Sequence, residues 1–345
     1  MPPIDIHTHV VPASFPTPAV PGNGVVGWPV MEHDGCGHAK LLISGKPFRT
    51  LDEPAWNPRR RAADMTQMGV ERQVLSPMPE LLSHWLPTED AARLLRHVNE
   101  EIAGMVAVDP SRFVGLGAVP LQDVDLAIAE LEIVVRGLGL AGVEIGPNVN
   151  GVPIGAACFE PFFARAEELG AAVFVHALRA AGTDRLVGPP LLENIVAYPC
   201  EIALAIASMI TGGTLARHPA LRIAFSHGGG AFALVLARME HAWPVVAGAL
   251  DPAVTETPRA YAQRAYYDTA VFDAGALRFL AETFGEDRLL VGTDYPFAAH
   301  ERDPLGLLRR AGLGESAVAA ITTDNALRFL GLEERGGRTC RASRN

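Results

Sequence analysis

The chain has 345 residues, 49% of them hydrophobic, and a formal net charge of −10 at neutral pH. That length supports a large buried core, and the acidic balance excludes nucleic acid and anionic membrane as the main expected partners. No apolar stretch is expected to reach the ~18 residues of a membrane span, and the chain enters a strand so early that no signal peptide is expected before it. Four cysteines (Cys36, Cys158, Cys200, Cys340) form no CxxC pair, which suits reduced thiols in a cytoplasmic protein.

Ile4 to Val10 reads as the first strand. Pro12 to Pro54 is rich in Gly and Pro and too long for an ordinary connection, so residues 12–54 read as an insertion with short strands of its own. A regular alternation follows. Asn57 to Gly69 is helical and Glu71 to Ser76 a strand. Thr88 opens a helix to about Val108, with a Ser/Thr-type cap expected at its start. Phe113 to Val119 is a strand, and Asp123 caps a helix to about Arg136. Ala141 to Ile145, Ala171 to His176, Arg222 to His227, Tyr266 to Val271 and Arg288 to Asp294 complete the strands. Helices are expected between them at Cys158–Leu169, from about Cys200 to Arg217, through Trp243, and from Gly275 to Phe284. Two more close the fold near Leu332.

Eight short apolar strands alternating with helices imply a parallel sheet. In a chain this long they suggest an α/β fold of the (β/α)8 TIM-barrel type, one domain over residues 1–332 with a polar tail at 333–345. Its active site would lie at the carboxyl ends of the strands. A doubly wound open sheet is the alternative, but no GxGxxG opens a helix after a strand.

Five polar residues share one kind of position. His7 and His9 alternate along the first strand and so face one side. His176, His227 and Asp294 end the fifth, sixth and eighth strands. A barrel brings all five to one mouth. The other histidines do not fit this pattern. His33, Cys36 and His38 could mimic a second metal site, but they lie in the Gly-rich insertion, where such a cluster is more often incidental.

The His-x-His pair, His176, His227 and Asp294 together resemble the amidohydrolase superfamily, over essentially the whole chain. More closely, Phe48-Arg49, Val119-Pro120-Leu121-Gln122-Asp123, Ser226-His227-Gly228-Gly229-Gly230, Asp268-Thr269-Ala270-Val271-Phe272 and Gly292-Thr293-Asp294-Tyr295-Pro296-Phe297 are similar to the 2-amino-3-carboxymuconate-6-semialdehyde decarboxylases of the amidohydrolase-2 branch. The resemblance implies one divalent metal ion, zinc first, held by His7, His9, His176 and Asp294. Binuclear members bridge two metals with a strand-four lysine. Here the only lysines are Lys40 and Lys46, and strand four carries Glu144, so that class of site is excluded, with a bridging Glu144 as the lesser alternative to a single ion. The resemblance also implies His227 as general base and proton donor beside a metal-activated water. It gives Asp294 a catalytic part as well as a ligand's, and Arg49 and Arg238 as carboxylate binders, Arg238 reaching across a homodimer. The expected activity is non-oxidative decarboxylation of a carboxylated muconate semialdehyde or a similar small aromatic-catabolism acid. A lactone or amide hydrolase, or a hydratase, is the alternative, and a non-catalytic barrel the third reading. Two features depart from the branch: His176 is followed by Ala177-Leu178-Arg179 instead of Pro-Trp, and a family tryptophan is missing from Val187-Gly188-Pro189-Pro190-Leu191. Arg179 is a possible extra carboxylate contact.

Overall fold

Strand β1 (Ile4–Val10) is buried along its whole length, which marks it as an inner strand from the start. In the computed structural model, which describes residues 3–18 and 26–333, it is followed by an antiparallel sheet of β2 (Pro29–His33), β3 (His38–Ile43) and β4 (Lys46–Asp52). The barrel then continues through β5 (Arg72–Pro77), β6 (Phe113–Gly117) and β7 (Gly142–Ile145). A two-stranded hairpin of β8 (Asn148–Val149) and β9 (Val152–Pro153) precedes β10 (Ala172–Val175), β11 (Arg222–Phe225), β12 (Tyr266–Asp268) and β13 (Leu289–Leu290). Eight strands pair in the order β1-β5-β6-β7-β10-β11-β12-β13, every neighbouring pair parallel. The ends meet where Ile6 N donates to Val291 O at 2.8 Å, Asp294 N to His7 O at 2.9 Å and His9 N to Tyr295 O at 2.7 Å. The expected (β/α)8 barrel is therefore the fold.

Two apolar layers hold it together. One cluster collects Ile4, Ile6, Val74, Leu116, Phe174, Ala224 and Leu290 from the barrel strands, with Phe329 from the last helix packed against them. A larger cluster fills the space between strands and outer helices. The register of β1 on β5 slips between Asp5 and Thr8. A bulge of this kind re-aims side chains, and here Ile6 joins the apolar cluster while His7 and His9 both turn toward the mouth.

Several boundaries differ from expectation for physical reasons. Thr88 is the first residue of the helix Thr88–Val108, not its cap; Pro87 takes the cap position, and it offers no side-chain acceptor. The expected helix from Cys200 to Arg217 is two, Tyr198–Thr211 and Thr214–Arg217, parted where Gly213 adopts φ 80°. A π-helical turn, Glu193–Ala197, extends the first of them backward. The resulting stretch 193–211 is long and apolar enough to cross a membrane, with mean hydropathy 1.5, against the expectation that no segment reaches that length. It is half buried against the barrel, and its Glu201 carboxylate accepts from Asn148 Nδ2 and Ala181 N, both at 2.8 Å. Those contacts make it an outer helix of the barrel. The strand expected at Arg288–Asp294 shortens to β13, though its backbone continues to bond β1. Nearly all of the expected polar tail lies outside the described residues.

Candidate active site

His7 and His9 stand on β1, and His176 directly follows β10. His227 and Asp294 are not on strands. His227 lies two residues past β11 at φ 54°, and Asp294 four past β13 at φ 68°. Both sit in left-handed turns that swing their side chains inward. Gly292 is needed for this approach, because a Cβ there would come within 2.7 Å of Asp268 Cβ and 2.9 Å of His7 Cβ.

Each of three imidazoles has its Nδ1 against a group that only accepts. His7 Nδ1 is 2.6 Å from Asp268 Oδ2, His9 Nδ1 2.9 Å from Pro77 O, and His176 Nδ1 2.8 Å from Ala177 O. In the neutral ring each Nδ1 therefore carries the proton, and each Nε2 offers the lone pair. Those nitrogens converge with Asp294: His7 Nε2 and His9 Nε2 are 3.1 Å apart, and Asp294 Oδ1 lies 3.4 Å and 3.2 Å from them. His176 Nε2 and Asp294 Oδ1 are buried without a hydrogen-bond partner. Ligand atoms from the four residues all lie within 4.8 Å of one another. Four acceptors facing each other with no donor between them fit one cation, and imidazole with carboxylate is a usual donor set for a divalent transition metal.

The electrostatics agree. Burial works against charge on His7, but the Asp268 carboxylate, and then Asp294, outweigh it and push the imidazole up to about 10. Burial lowers His9 and takes His176 well below the ordinary value. Burial also opposes the Asp294 charge, yet the His7 and His9 imidazoles beside it hold its carboxyl well below the usual range. The site thus keeps an anionic carboxylate among imidazoles and favours positive charge at its centre.

Asp268, at the end of β12, braces this group. Its Oδ2 accepts from His7 Nδ1 and from His227 N at 3.0 Å; its Oδ1 accepts from Gly228 N at 2.9 Å and Ala270 N at 3.0 Å. A carboxylate behind a ligating histidine fixes its tautomer and orientation. The His227 ring lies with its centroid 5.1 Å from that of His176 and 5.4 Å from that of His7, outside the group of four. Glu144 is fully buried and its oxygens have no hydrogen-bond partner; Oε2 lies 3.8 Å from His9 Nδ1, the nitrogen turned away from the cluster. That placement does not suit a bridging ligand. His33, Cys36 and His38 form no second metal-type group among the described residues.

Residues 4–332 match the family model described as amidohydrolase. The chain belongs to the amidohydrolase family. It is 38% identical to a 2-amino-3-carboxymuconate-6-semialdehyde decarboxylase of Dictyostelium discoideum, across 96% of this chain and 92% of that one. Among solved structures, 5-carboxyvanillate decarboxylase of Sphingomonas paucimobilis is 27% identical with a TM-score of 0.73, over 79% of this chain and 82% of that one. A dihydroxybenzoic acid decarboxylase of Polaromonas sp. JS666, with bound manganese and the inhibitor 2-nitroresorcinol, is 25% identical with a TM-score of 0.69, covering 79% and 85%.

In this amidohydrolase the candidate centre opens on a cavity of about 50 Å³ lined by Arg49, Pro79, Glu80, His176, Asn194, Tyr198, His227, Asp294 and Phe297. Arg49 comes from β4 of the insertion, its guanidinium 4.2 Å from the centroid of the Phe297 ring. Glu80, Asn194, Tyr198 and Phe297 were not singled out from sequence as site residues. Arg238 does not line this cavity. It is exposed on the helix Phe232–Val246 and has no ion pair among the described residues. Arg179 lines a separate cavity of about 620 Å³ with His84, Trp85, Asn148 and Glu201, its guanidinium 3.9 Å from the Trp85 ring.

Proposed function

We propose that this chain is a metal-dependent, non-oxidative decarboxylase of a carboxylated muconate semialdehyde or a related aromatic-catabolism acid. One observation carries the reading: the group formed by three imidazole Nε2 atoms and the Asp294 carboxylate reaches, through His176 and Asp294, the small cavity that Arg49 also lines. His7, His9, His176 and Asp294 would hold one ion. When bound, that ion supplies positive charge that polarises substrate oxygens and stabilises the electron density left as carbon dioxide departs. Arg49 is placed to take a substrate carboxylate in a two-point grip. His227, kept below its ordinary value by burial and then by the His7 charge, is neutral at pH 7 and can take a proton and return it to the carbon. Asp268 keeps the His227 turn and the His7 ring in place.

Three histidines and one carboxylate favour zinc, and the manganese in the Polaromonas enzyme makes that metal the competitor. Arg238 is proposed to complete the neighbouring site of a homodimer. It shares its helix with exposed Leu234, Val235 and Val245, an apolar face suited to a second copy. A cytoplasmic setting is proposed as well, where exposed Cys36, Cys158 and Cys200 stay free.

Carbon dioxide release from candidate acids, measured with the metal content of the same preparation, tests the reading. Release that is lost on chelation and restored by zinc is expected; hydrolysis without carbon dioxide would refute it. For the dimer, mixing inactive Arg49→Ala and Arg238→Ala chains restores activity if Arg238 acts across an interface. A fully active monomer at high dilution would refute that part.

A further inference from the structure

His84 is only 3% exposed, yet neither nitrogen of its ring has a hydrogen-bond partner. Burial lowers the imidazole to about 4, so at pH 7 the ring is neutral and offers one donor and one acceptor. Gln122 stands beside it, and its Oε1 is also buried without a partner. A bond between the two would satisfy one ring nitrogen and leave the other. Buried polar atoms are nearly always paired, and an unpaired one is costly unless a bound molecule supplies the partner.

His84 lines the cavity of about 620 Å³, which shares no lining residue with the cavity at the candidate metal centre. That volume suits a small-molecule site, for which about 300–1,000 Å³ is usual. The helix Tyr198–Thr211 contributes to both cavities. Tyr198 lines the one at the centre, whereas Glu201, Leu204, Ser208 and Thr211, spaced along one stripe of the helix, line the larger one. Most polar groups of this wall are already engaged. Glu201 accepts from Asn148 Nδ2 and Ala181 N, Ser208 Oγ donates to Ala205 O, and Thr211 Oγ1 donates to Ala207 O. Arg179 is different. Its guanidinium lies 3.9 Å from the centroid of the Trp85 ring and makes no ion pair or hydrogen bond among the described residues.

The larger cavity thus presents one unpaired cation held over an indole, one unpaired neutral imidazole, and an apolar wall from Trp85, Leu204 and Ala207. We propose that it is a second ligand site, distinct from the metal centre, for an organic monoanion with an apolar body: the acidic group pairs with Arg179, the body covers Trp85, Leu204 and Ala207, and a polar atom of the ligand meets His84. A guanidinium can grip a carboxylate at two points while stacked on an aromatic ring. One cation facing the Glu201 carboxylate matches a single negative charge better than two. The site is independent of the reaction at the metal centre, so its test reads binding alone.

The probes are indole-3-acetate, its neutral analogue indole-3-acetamide, and naphthalene-1-acetate, which keeps the acid and lacks the ring N–H. Each is titrated calorimetrically into metal-loaded protein. Wild type is expected to bind indole-3-acetate at least about tenfold tighter than the amide. Arg179→Gln, a change at an exposed side chain, should erase that ratio, and Arg49→Ala, a change in the other cavity, should leave it intact. His84→Phe should weaken indole-3-acetate while leaving naphthalene-1-acetate within about twofold, and should not lower the melting temperature of the ligand-free chain, because no bond is lost. A fall in that melting temperature with no change in binding would make His84 a structural residue and overturn its part in the site. No binding of either acid by wild type would mean that the cavity holds water only. Binding that survives Arg179→Gln and is lost in Arg49→Ala would place the acid at the metal centre. Either result overturns the proposal and leaves the decarboxylase reading untouched.

Discussion

Asp268→Asn is nearly isosteric, yet the hydrogen-bond pattern leaves it no acceptable orientation. The carboxylate receives four donors, two on each oxygen: His7 Nδ1 and His227 N on Oδ2, Gly228 N and Ala270 N on Oδ1. An amide NH2 in either place faces two N–H groups. If it faces Gly228 and Ala270, two buried donors lose their acceptor at about 1–3 kcal/mol each and the turn carrying His227 loosens. If it faces His7, the imidazole moves its proton to Nε2 and a lone pair disappears from the metal-type group. Loss of a carboxylate behind a ligand typically costs 10–100-fold in metal affinity or activity, about 1.4–2.7 kcal/mol at 1.36 kcal/mol per decade. Competition against a chromogenic chelator measures the affinity, and carbon dioxide release at saturating metal measures turnover. Metal affinity and turnover both within about twofold of wild type would refute the role assigned to Asp268.

His227→Ala should lower turnover by about 10²–10⁴ while metal analysis still finds one ion per chain; loss of metal would make His227 a ligand instead. Because burial and the neighbouring His7 depress His227, activity should hold as pH falls and be lost only below the ordinary imidazole value of 6.5, a limb that a pH–rate profile locates and His227→Ala removes. Arg61 is fully buried and donates to Thr8 Oγ1 at 3.0 Å, Gln73 Oε1 at 3.1 Å, Pro54 O at 3.2 Å and His9 O. Arg61→Leu should cost about 3–5 kcal/mol, as when a buried charged network is broken, read from urea midpoints; an unchanged midpoint would show the network to be dispensable. Burial pushes Glu144 up to about 8, so the folded state keeps its proton where the unfolded chain has lost it. Stability is then present below about pH 4.5 and falls as pH rises toward 8. Glu144→Gln should match wild type in melting temperature at pH 5 and exceed it at pH 9, and parallel curves would contradict this.

The metal-type residues were legible because their signal is local. An i, i+2 histidine pair on an apolar strand, and single polar residues ending other apolar strands, are patterns that a barrel turns into one site. Asp268 carries the same signal at the end of β12, inside a segment already noticed, and rests unassigned only because its partner His7 is 261 residues away. Glu80, Asn194 and Tyr198 left no such trace, and Phe297 stood inside a segment already noticed without being assigned to the wall. Their place in the wall depends on the path of long loops, which local periodicity does not encode. The same holds for the break at Gly213, where φ is 80°, and for the π-helical turn before Tyr198, neither of which periodicity signals. The bulge in β1 was also invisible, since alternation alone already put both histidines on one side.

The site straddles the seam where the first and last strands join. His7 and His9 come from one lip, Asp294 from the other, and three backbone bonds stitch the lips together. A cation held there acts as a clasp on nearly the longest loop the chain can close, and loop closure of that length carries a large entropic cost that any such clasp helps to offset. Without its last strand the chain lacks Asp294, one of the four groups that would hold the ion. Stripping the metal should loosen the molecule first along this seam, with hydrogen exchange rising at Ile6, His9 and Asp294 before the opposite wall of β6 and β7 responds.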